Sequence, residues 1–328
     1  MNRDAGTGVG PVDGLDLGLG LDVGGTSTRW ALARADGQML AEGEAAGFSG
    51  QQMASSPGRE RVAQALAAVA VQVNSARAQA QALAPAHGQV IALWAGVTGH
   101  DEQSGPGLAR LMARCLQLPV LAVTVGNDVE IAARLLFAPG AGHLVVAGTG
   151  SIGVHIAARG GVHRVGGRGG VLGDEGSGYW IARQALASVW RAEDELPGSG
   201  LATPLAQHLF AAVGGSSWDA TRGFVHRSAR GEFGRLALAV AAAAAAPDAD
   251  PVALALLQQA GRELARLANL LAARHGPCPL RLAGRAAQLH PAIADAFAQA
   301  LSAGTMFEVV ALQTHRDAAR RAAQSLAA

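Results

Sequence analysis

Lysine is absent from this chain of 328 residues, and each of its 26 basic residues is an arginine. This absence excludes every chemistry that needs a lysine amine. It removes the Walker A phosphate loop, the lysine of protein kinases and the Schiff base of pyridoxal enzymes. Any phosphate-binding site must therefore use backbone amides, hydroxyl groups, arginines or a bound metal ion.

Cysteine, net charge and long apolar runs are also scarce. Cys115 and Cys278 are the two cysteines, and their wide separation predicts two buried thiols and no disulfide. The formal net charge is +1, so neither nucleic acid nor a membrane surface is an expected partner. No apolar stretch reaches the roughly 18 residues that span a bilayer. Residues 1–11 lack a signal-peptide pattern, and we expect a soluble, cytoplasmic protein with small-molecule partners.

The first part of the chain has the pattern of an α/β domain. Half of all residues are apolar, which is enough material for two domains. The apolar pattern predicts strands and helices in the following order: strands at 17–23, 28–33 and 39–45, a helix at 59–81, a strand at 90–95, a helix at 108–116 and a strand at 120–125. An antiparallel meander followed by alternating helices and strands predicts a mixed sheet.

The second part of the chain begins as the first did. Strands are predicted at 143–147 and 152–158, again around a glycine-rich turn. We therefore predict an N-terminal domain at 1–140 and a related C-terminal domain at 141–328. The first 14 residues are expected to be mobile, and the last helix is expected to pack back on the N-terminal domain.

A glycine-rich turn follows the first strand. It differs from a dinucleotide-binding fingerprint because it joins a strand to a strand, not to a helix. Gly24 and Gly25 let backbone N–H groups point at an anion, Thr26 and Ser27 carry hydroxyl groups, and Asp22 can hold Mg²⁺ through water. An ordinary hairpin turn explains the two glycines equally well.

The corresponding turn in the second part consists of Gly148, Thr149, Gly150 and Ser151. It offers the same backbone amides and hydroxyl groups at the same place in the pattern. Two such turns on related domains could hold the two sides of a triphosphate.

Asn127 and Asp128 end one strand and begin the next helix. An aspartate here can cap the helix and interact with its dipole. It can also be a general base, since a carboxylate at the end of a strand can accept the proton of a bound hydroxyl group. The residues alone leave both interpretations open.

Residues 166–178 are the most unusual stretch, because seven of them are glycines. Glycine costs conformational entropy, so this density indicates close approach of the backbone to a ligand. Asp174 and Glu175 lie within the stretch and precede a predicted helix. Their carboxylates can accept hydrogen bonds from sugar hydroxyls or complement the helix dipole, and we favour ligand contact.

Other polar residues carry no such signal. The ten histidines show no ligand spacing, so a metal site built by protein side chains alone is not expected. The arginines at 227–230 and 320–321 are interpreted as solvated helix faces. A helix at 251–274 is predicted from Asp250 as its N-cap and Gly276 beyond its end.

Four segments together resemble the N-acetylglucosamine kinases and related BadF-type ATPases of the actin/hexokinase superfamily. They are residues 21–28, 127–128, 148–151 and 173–182. The resemblance covers most of the chain. It implies an α/β fold of two ribonuclease H-like, actin-type ATPase domains with mixed sheets and a cleft for ATP and sugar between them.

The resemblance also implies roles for particular residues. Asp128 would deprotonate the 6-hydroxyl of N-acetylglucosamine, and Asp22 would position Mg²⁺ beside the phosphates of ATP. The sugar would contact Asp174, the backbone at Gly166 and Gly167, and Thr149. Further sugar contacts would come from Asn127 and Glu175, and Gly284 would belong to the adenosine site.

The chain departs from the family pattern at three places. Residues 47–50 lack the asparagine that family members tend to place after the third strand. Arg285 stands where the second glycine of the adenosine motif would be. Residues 320–321 replace a Gly-Ala pair of the last helix.

Several alternatives follow from the same resemblance. The sugar could be glucosamine or N-acetylmuramic acid, and Arg285 motivates a catalytically weak sugar-sensing protein. The iron–sulfur dehydratase activators and the zinc-binding sugar kinases need cysteine arrangements that this sequence lacks. A homodimer is the default expectation for the assembly.

Overall fold

The computed structural model describes residues 16–83 and 88–325, without the side chains of residues 81–83. The predicted mobile segment at 1–14 lies outside the described residues. The chain divides into two compact units. One comprises the described residues up to Leu136 and those from Gln313 onward, and the other comprises Phe137–Leu312.

The first unit contains a mixed five-stranded sheet with the order β3-β2-β1-β4-β5. Strands β1, β2 and β3 pair antiparallel, whereas β1, β4 and β5 run parallel. Its strands are β1 (Leu17–Val23), β2 (Ser27–Arg34), β3 (Met39–Ala46), β4 (Val90–Val97) and β5 (Val123–Asn127). Its helices are α1 (Ser56–Leu83), α2 (Gly105–Leu116), α3 (Asp128–Leu136) and α11 (Thr314–Gln324), with 3-10 helices at Gly50–Ala54 and Val120–Ala122.

The second unit contains a second five-stranded sheet, with the order β10-β9-β6-β7-β8. Its strands are β6 (His143–Ala147), β7 (Ser151–Ile156), β8 (Val162–Gly166), β9 (Leu280–Ala283) and β10 (Phe307–Val310). Its helices are α4 (Gly178–Glu195), α5 (Pro204–Val213), α6 (Trp218–Arg227), α7 (Arg230–Gly234), α8 (Leu236–Ala245), α9 (Pro251–His275) and α10 (Pro291–Ala300).

The two sheets share one topology. In each, three strands form an antiparallel meander, and two later strands add in parallel beside the first strand of that meander. Parallel pairing needs a crossover, which helices supply in both units. The prediction of an α/β fold with mixed sheets, and of a second half that repeats the first, is confirmed.

One predicted strand starts at the wrong residue, and three strands were not predicted. The strand expected at 120–125 starts later, because the N–H of Ala122 bonds back to the carbonyl of Pro119 at 2.9 Å and closes a 3-10 turn. Strands β8, β9 and β10 were not predicted, since all three are short, and β8 carries exposed His163 and Arg164. The two cysteines are free, as expected, but half-buried and not buried.

Strand β1 separates the hydrophobic core of the first unit from α11. Leu17, Leu19 and Leu21 are fully buried in that core. The glycines between them allow α11 to approach the other face of the strand. A Cβ at Gly18 would lie 2.1 Å from the Ala323 nitrogen, well inside the van der Waals limit.

Two arginines of α11 contact other residues of the first unit. Arg320 Nε donates to the carbonyl of Gly37 at 3.3 Å, and the guanidinium of Arg321 lies 5.6 Å from the centre of the Trp94 ring. Arg321 is exposed, in agreement with the interpretation of this stretch as a solvated helix face, whereas Arg320 is half-buried and bonds the Gly37 carbonyl.

The predicted ends of helix α9 are confirmed. Asp250 caps it by accepting hydrogen bonds from the N–H groups of Val252 and Ala253, and Gly276 follows its end with a positive φ of 83°. Across the part of the chain that the structure describes, no helix has both the length and the apolar character required to cross a membrane.

Candidate functional site

The turn between β1 and β2 is open on its glycine side. A Cβ on Gly25 would meet nothing within 4 Å, and one on Gly24 would meet only the Ser27 carbonyl at 3.3 Å. Neither glycine has a positive φ. Among the described residues, neither packing nor backbone conformation requires glycine at position 25, whereas a side chain at position 24 would press on the Ser27 carbonyl. The space beside Gly25 is free for an anion.

Gly47 packs against the backbone of this turn. Its N–H donates to the carbonyl of Thr26 at 3.0 Å, and a Cβ there would lie 2.2 Å from the Gly24 carbonyl. The segment where the family tends to place an asparagine is thus used here to hold the turn in place. Sequence reasoning missed this role, since the contact spans more than twenty positions of the chain.

Asp22 lies at the carboxyl end of β1, opposite Arg29 on β2. Arg29 Nη2 bonds Asp22 Oδ2 at 2.6 Å, and about half of the arginine side chain is exposed. An exposed pair of this kind is weak and exchangeable. Magnesium binds proteins through one or two carboxylates together with phosphate oxygens, so Asp22 fits the ligand chemistry of Mg²⁺.

The parallel strands β1, β4 and β5 bring Asp22 and Asp128 to one edge of the first sheet. Asp22 pairs with Gly96 on β4, which pairs with Gly126 on β5. A Cβ on Gly96 would lie only 3.1 Å from the Asp128 Cα, so the missing side chain leaves room for Asp128. The carboxyl ends of strands are the usual ligand-binding edge of α/β sheets.

Asp128 is the first residue of α3 and is half-buried. Its Oδ1 accepts from the N–H of Val129 at 2.9 Å, and Asn127 Oδ1 accepts from the same N–H at 3.1 Å. Burial raises the pKa of the Asp128 carboxyl, and the charge of Asp22 raises it further, against the lowering effects of hydrogen bonds from Val129 and Thr98. Asn127 thus shares the capping of the Val129 N–H with Asp128, and a carboxylate with a raised pKa suits a general base.

The second glycine turn, Gly148–Ser151, is tied to the start of α4. Gly178 N–H donates to the Gly148 carbonyl at 2.9 Å, and Tyr179 N–H donates to the Thr149 carbonyl at 3.3 Å. A Cβ on Gly148 would again meet nothing within 4 Å. The side of the turn at Gly148 is therefore open, like the side of the first turn at Gly25.

The glycine-rich loop after β8 is hydrogen-bonded to this second turn. Gly167 N–H donates to the Ser151 carbonyl at 3.0 Å, and Ser151 Oγ donates to the Glu175 carbonyl at 2.7 Å. Asp174 has a φ of 63°, which few residues other than glycine adopt. Such backbone strain is concentrated at functional sites, where the surrounding structure maintains it.

Asp174 is the most buried carboxylate of this loop, with 3% of its side chain exposed. Its Oδ1 accepts from the Ser151 N–H at 3.3 Å, and its Oδ2 bonds Arg230. Arg230 belongs to the stretch that the sequence suggested was a solvated helix face; it is exposed, as that interpretation requires, but its pairing with this buried carboxylate was not predicted. By contrast Glu175 is one-third exposed and lies 3.6 Å from Arg266 Nη2.

Gly284 follows β9 and lies against the end of β6. Its φ is 100°, and a Cβ there would lie 2.3 Å from the carbonyl of Ala147. The same carbonyl accepts from the Ala286 N–H at 2.9 Å. Gly284 is therefore required by the backbone, while Arg285 is exposed and does not displace it.

Four histidines gather in the second unit although their sequence spacing gave no sign of it. His143, His155 and His163 are cross-strand neighbours on β6, β7 and β8, and His275 ends α9. The His155 and His275 rings stack with centres 4.6 Å apart. Even so, no group of three or more His, Cys, Asp or Glu side chains in residues 16–83 and 88–325 is arranged to hold a metal ion.

Within each unit, most of the sequence-predicted residues are brought together. The first unit collects Asp22, Gly24, Gly25, Thr26, Ser27, Asn127 and Asp128 at one sheet edge. The second unit collects Gly148, Thr149, Gly150, Ser151, Gly166, Gly167, Asp174 and Glu175 around one turn, with Gly284 behind it. Sequence reasoning did not assign Arg29 or Arg230 to the site. The absence of lysine indicated only that any cationic side chain there would be an arginine.

Solved structures with this fold include sugar kinases. A candidate N-acetylglucosamine kinase from Chromobacterium violaceum is 28% identical, with a TM-score of 0.68 over 94% of this chain and 97% of that one. A candidate N-acetylglucosamine kinase from Porphyromonas gingivalis is 20% identical, with a TM-score of 0.70 over 94% and 99% of the two chains.

A more distant likeness is to a ROK family glucokinase from Streptomyces griseus in complex with glucose and AMPPNP. It is 19% identical, with a TM-score of 0.52 over 94% of this chain and 98% of that one. The fold is therefore that of the actin-type ATPases, as predicted. The sequence model of the BadF/BadG/BcrA/BcrD ATPase family matches residues 19–324, which confirms the resemblance. The chain belongs to the BadF/BadG/BcrA/BcrD ATPase family.

Proposed function

We propose that this protein is an ATP-dependent sugar kinase whose substrate is N-acetylglucosamine, phosphorylated at its 6-hydroxyl. The observation that carries the proposal is Asp128, a half-buried carboxylate with a raised pKa at the carboxyl ends of parallel strands. Asp128 accepts the proton of the attacking hydroxyl group. A base works best when its pKa is close to the working pH.

The two glycine turns bind the phosphates of ATP in this proposal. A side chain would meet nothing at Gly25 or Gly148, so both turns are open to a ligand, and Thr26 and Thr149 contribute hydroxyl groups. The N–H groups of Gly24 and Gly148 already donate within the turns, to the Ser27 and Gly150 carbonyls at 2.9 Å, so the phosphates bind other amides of the turns. Asp22 holds Mg²⁺ through water, and the ion supplies positive charge beside the phosphates. Gly284 shapes the segment that receives the adenosine.

Asp174 and the backbone at Gly166 and Gly167 hold the sugar. The strained loop keeps the Asp174 carboxylate buried and already bonded on one side, so few degrees of freedom are lost when hydroxyl groups bind it. Asn127 and Glu175 provide further polar groups. The assignment of N-acetylglucosamine rests on this loop and on the Chromobacterium violaceum relative. A cytoplasmic homodimer is the assembly we infer for it.

The direct test is a phosphorylation screen with Mg²⁺ and ATP. ADP formation is expected with N-acetylglucosamine, and the product should carry phosphate at the 6-position by NMR. Glucosamine, N-acetylmuramic acid and glucose are the competing substrates, because a few hydrogen bonds decide between them. Sugar binding by calorimetry without ADP formation would favour a sugar-sensing protein, and ADP formation independent of sugar would favour an ATPase.

The pH profile of kcat/KM is expected to show the ionisation of the Asp128 carboxyl as its acid limb. A general base must be ionised, so the rate falls as the pH falls through the raised pKa of Asp128. Asp22→Asn removes a nearby negative charge, which lowers the pKa of Asp128 and should move this acid limb to lower pH, even though kcat also decreases. Asp36→Asn, in an exposed turn of the same unit, is the control. A limb that stays in place in Asp22→Asn would contradict the assignment.

A further inference from the structure

Arg230 contacts both the buried carboxylate of Asp174 and the second glycine turn. Its Nη2 bonds Asp174 Oδ2, and a Cβ built on Gly150 would lie 2.7 Å from that same Nη2. The guanidinium also lies over the ring of Tyr179, with Cζ 5.7 Å from the ring centre. Arg230 thus lies beside both the carboxylate assigned to the sugar and the turn assigned to the phosphates, and Asp174 also contacts that turn.

The two members of this ion pair differ in their freedom to move. Asp174 is held by the Ser151 N–H and by the strained loop, and its side chain is 3% exposed. Arg230 is the first residue of the short helix α7, and 45% of its side chain is exposed. If the pair opens, the arginine is the member that moves.

We propose that sugar binding releases Arg230 from its ion pair with Asp174. Without sugar it neutralises the buried Asp174. When sugar hydroxyls donate to Asp174 Oδ2 in its place, the guanidinium is freed for phosphate oxygens at the turn Gly148–Ser151. This inference rests on the proposed kinase function, in which Asp174 binds the sugar and the turn binds phosphate.

The chemistry of the three groups supports the exchange. A carboxylate oxygen accepts hydrogen bonds from hydroxyl groups as well as from a guanidinium, so the sugar leaves Asp174 satisfied. Phosphate oxygens bind arginine in a bidentate manner and carry more charge than a single carboxylate. The chain has no lysine, so a permanently charged side chain at this turn has to be an arginine.

The exchange couples the two ligands. Sugar raises the affinity for ATP, and by linkage ATP raises the affinity for sugar by the same factor, typically about 5- to 150-fold for such couplings. In the absence of sugar, the ion pair with Asp174 occupies the guanidinium and neutralises its charge, so the cation is less available to the phosphates. The transfer of phosphate to water is thereby disfavoured.

Calorimetry on the full chain tests the proposal. The titrant is a non-hydrolysable ATP analogue with Mg²⁺, with and without saturating amounts of the sugar that the wild-type protein phosphorylates. The wild-type affinity for the analogue is expected to rise about tenfold with sugar. In Arg230→Gln the rise should shrink to less than about twofold, while sugar alone binds as tightly as before or more tightly, because its competitor is gone.

Further variants separate this role from a structural one. Arg230→Lys keeps the positive charge but lacks the planar guanidinium, and it should retain part of the coupling that Arg230→Gln loses. Arg227→Gln, at the exposed end of α6, is the matched control and should behave as wild type. In kinetics Arg230→Gln should lower kcat and leave the KM for sugar unchanged or lower.

Two results would overturn the inference, and they are distinct from failure of the kinase proposal. If Arg230 only supports the loop, Arg230→Gln will weaken sugar binding and leave the coupling intact. If the wild-type protein phosphorylates the sugar without any coupling between sugar and nucleotide, the kinase proposal stands and the release of Arg230 is wrong. If the wild-type protein binds no sugar at all, the proposed function itself fails, and the inference fails with it.

Discussion

Asp128→Asn is expected to lower kcat for sugar phosphorylation by roughly 10²- to 10⁴-fold while sugar binding persists. Asparagine matches aspartate in size, and its side-chain oxygen can still accept from the Val129 N–H. The amide cannot take a proton from a hydroxyl group. The variant therefore removes the base and preserves the start of α3.

The same substitution should leave the melting temperature unchanged or raise it. Because the folded state raises the pKa of Asp128 above its ordinary value, ionisation of this carboxyl costs stability at neutral pH. A neutral side chain removes that cost, as is common when a strained functional group is replaced. A catalytic role thus predicts loss of activity with no loss of stability, whereas a role in capping alone predicts wild-type turnover, because asparagine caps a helix as well as aspartate does.

The control for this experiment is Asp194→Asn, which alters an exposed aspartate on α4. It should keep wild-type turnover and stability. Asp128→Asn turning over at the wild-type rate would eliminate the base assignment. A large fall in its melting temperature would show that the carboxylate mainly supports the helix.

The parts of the fold that the sequence predicted are those fixed by local patterns. Apolar strands around the Gly24 and Gly148 turns gave both hairpins, and Asp250 and Gly276 marked the ends of α9. Short-range periodicity and capping act within a few residues, so they can be recognised in one sequence. The glycine-rich stretch that contains Asp174 was noticed because its composition is costly for folding alone.

The parts that were missed depend on contacts between distant residues. Asp174 and Arg230 are 56 positions apart, and nothing in the local sequence around Arg230 distinguishes it from exposed Arg227. The 3-10 turn at Val120–Ala122 was missed because apolar residues there fit a strand equally well. Likewise, the glycines of β1 indicate a close approach only once the structure places α11 above them.

Gly20→Ala is expected to destabilise the first unit by at least about 3 kcal/mol, or to prevent its folding. A Cβ at this position would lie 1.9 Å from the His315 carbonyl and 2.3 Å from the Ala319 nitrogen. Both are backbone atoms of α11, so no rotamer change relieves the clash. Either β1 and its buried leucines shift, or α11 detaches from the sheet.

Trypsin can report which of the two occurs, since it cleaves after the arginines of α11 at positions 316, 320 and 321. Detachment of α11 should make these bonds sensitive in Gly20→Ala under conditions where the wild-type helix resists. Gly126→Ala, in β5 of the same sheet, is the matched control because the three atoms nearest its Cβ would belong to side chains, the first being Ile131 Cδ1 at 3.3 Å. Its cost should stay below about 1.5 kcal/mol, because the side chains around it can adjust. Equal melting temperatures and equal tryptic resistance in the two variants would show that α11 does not depend on the missing side chain of Gly20.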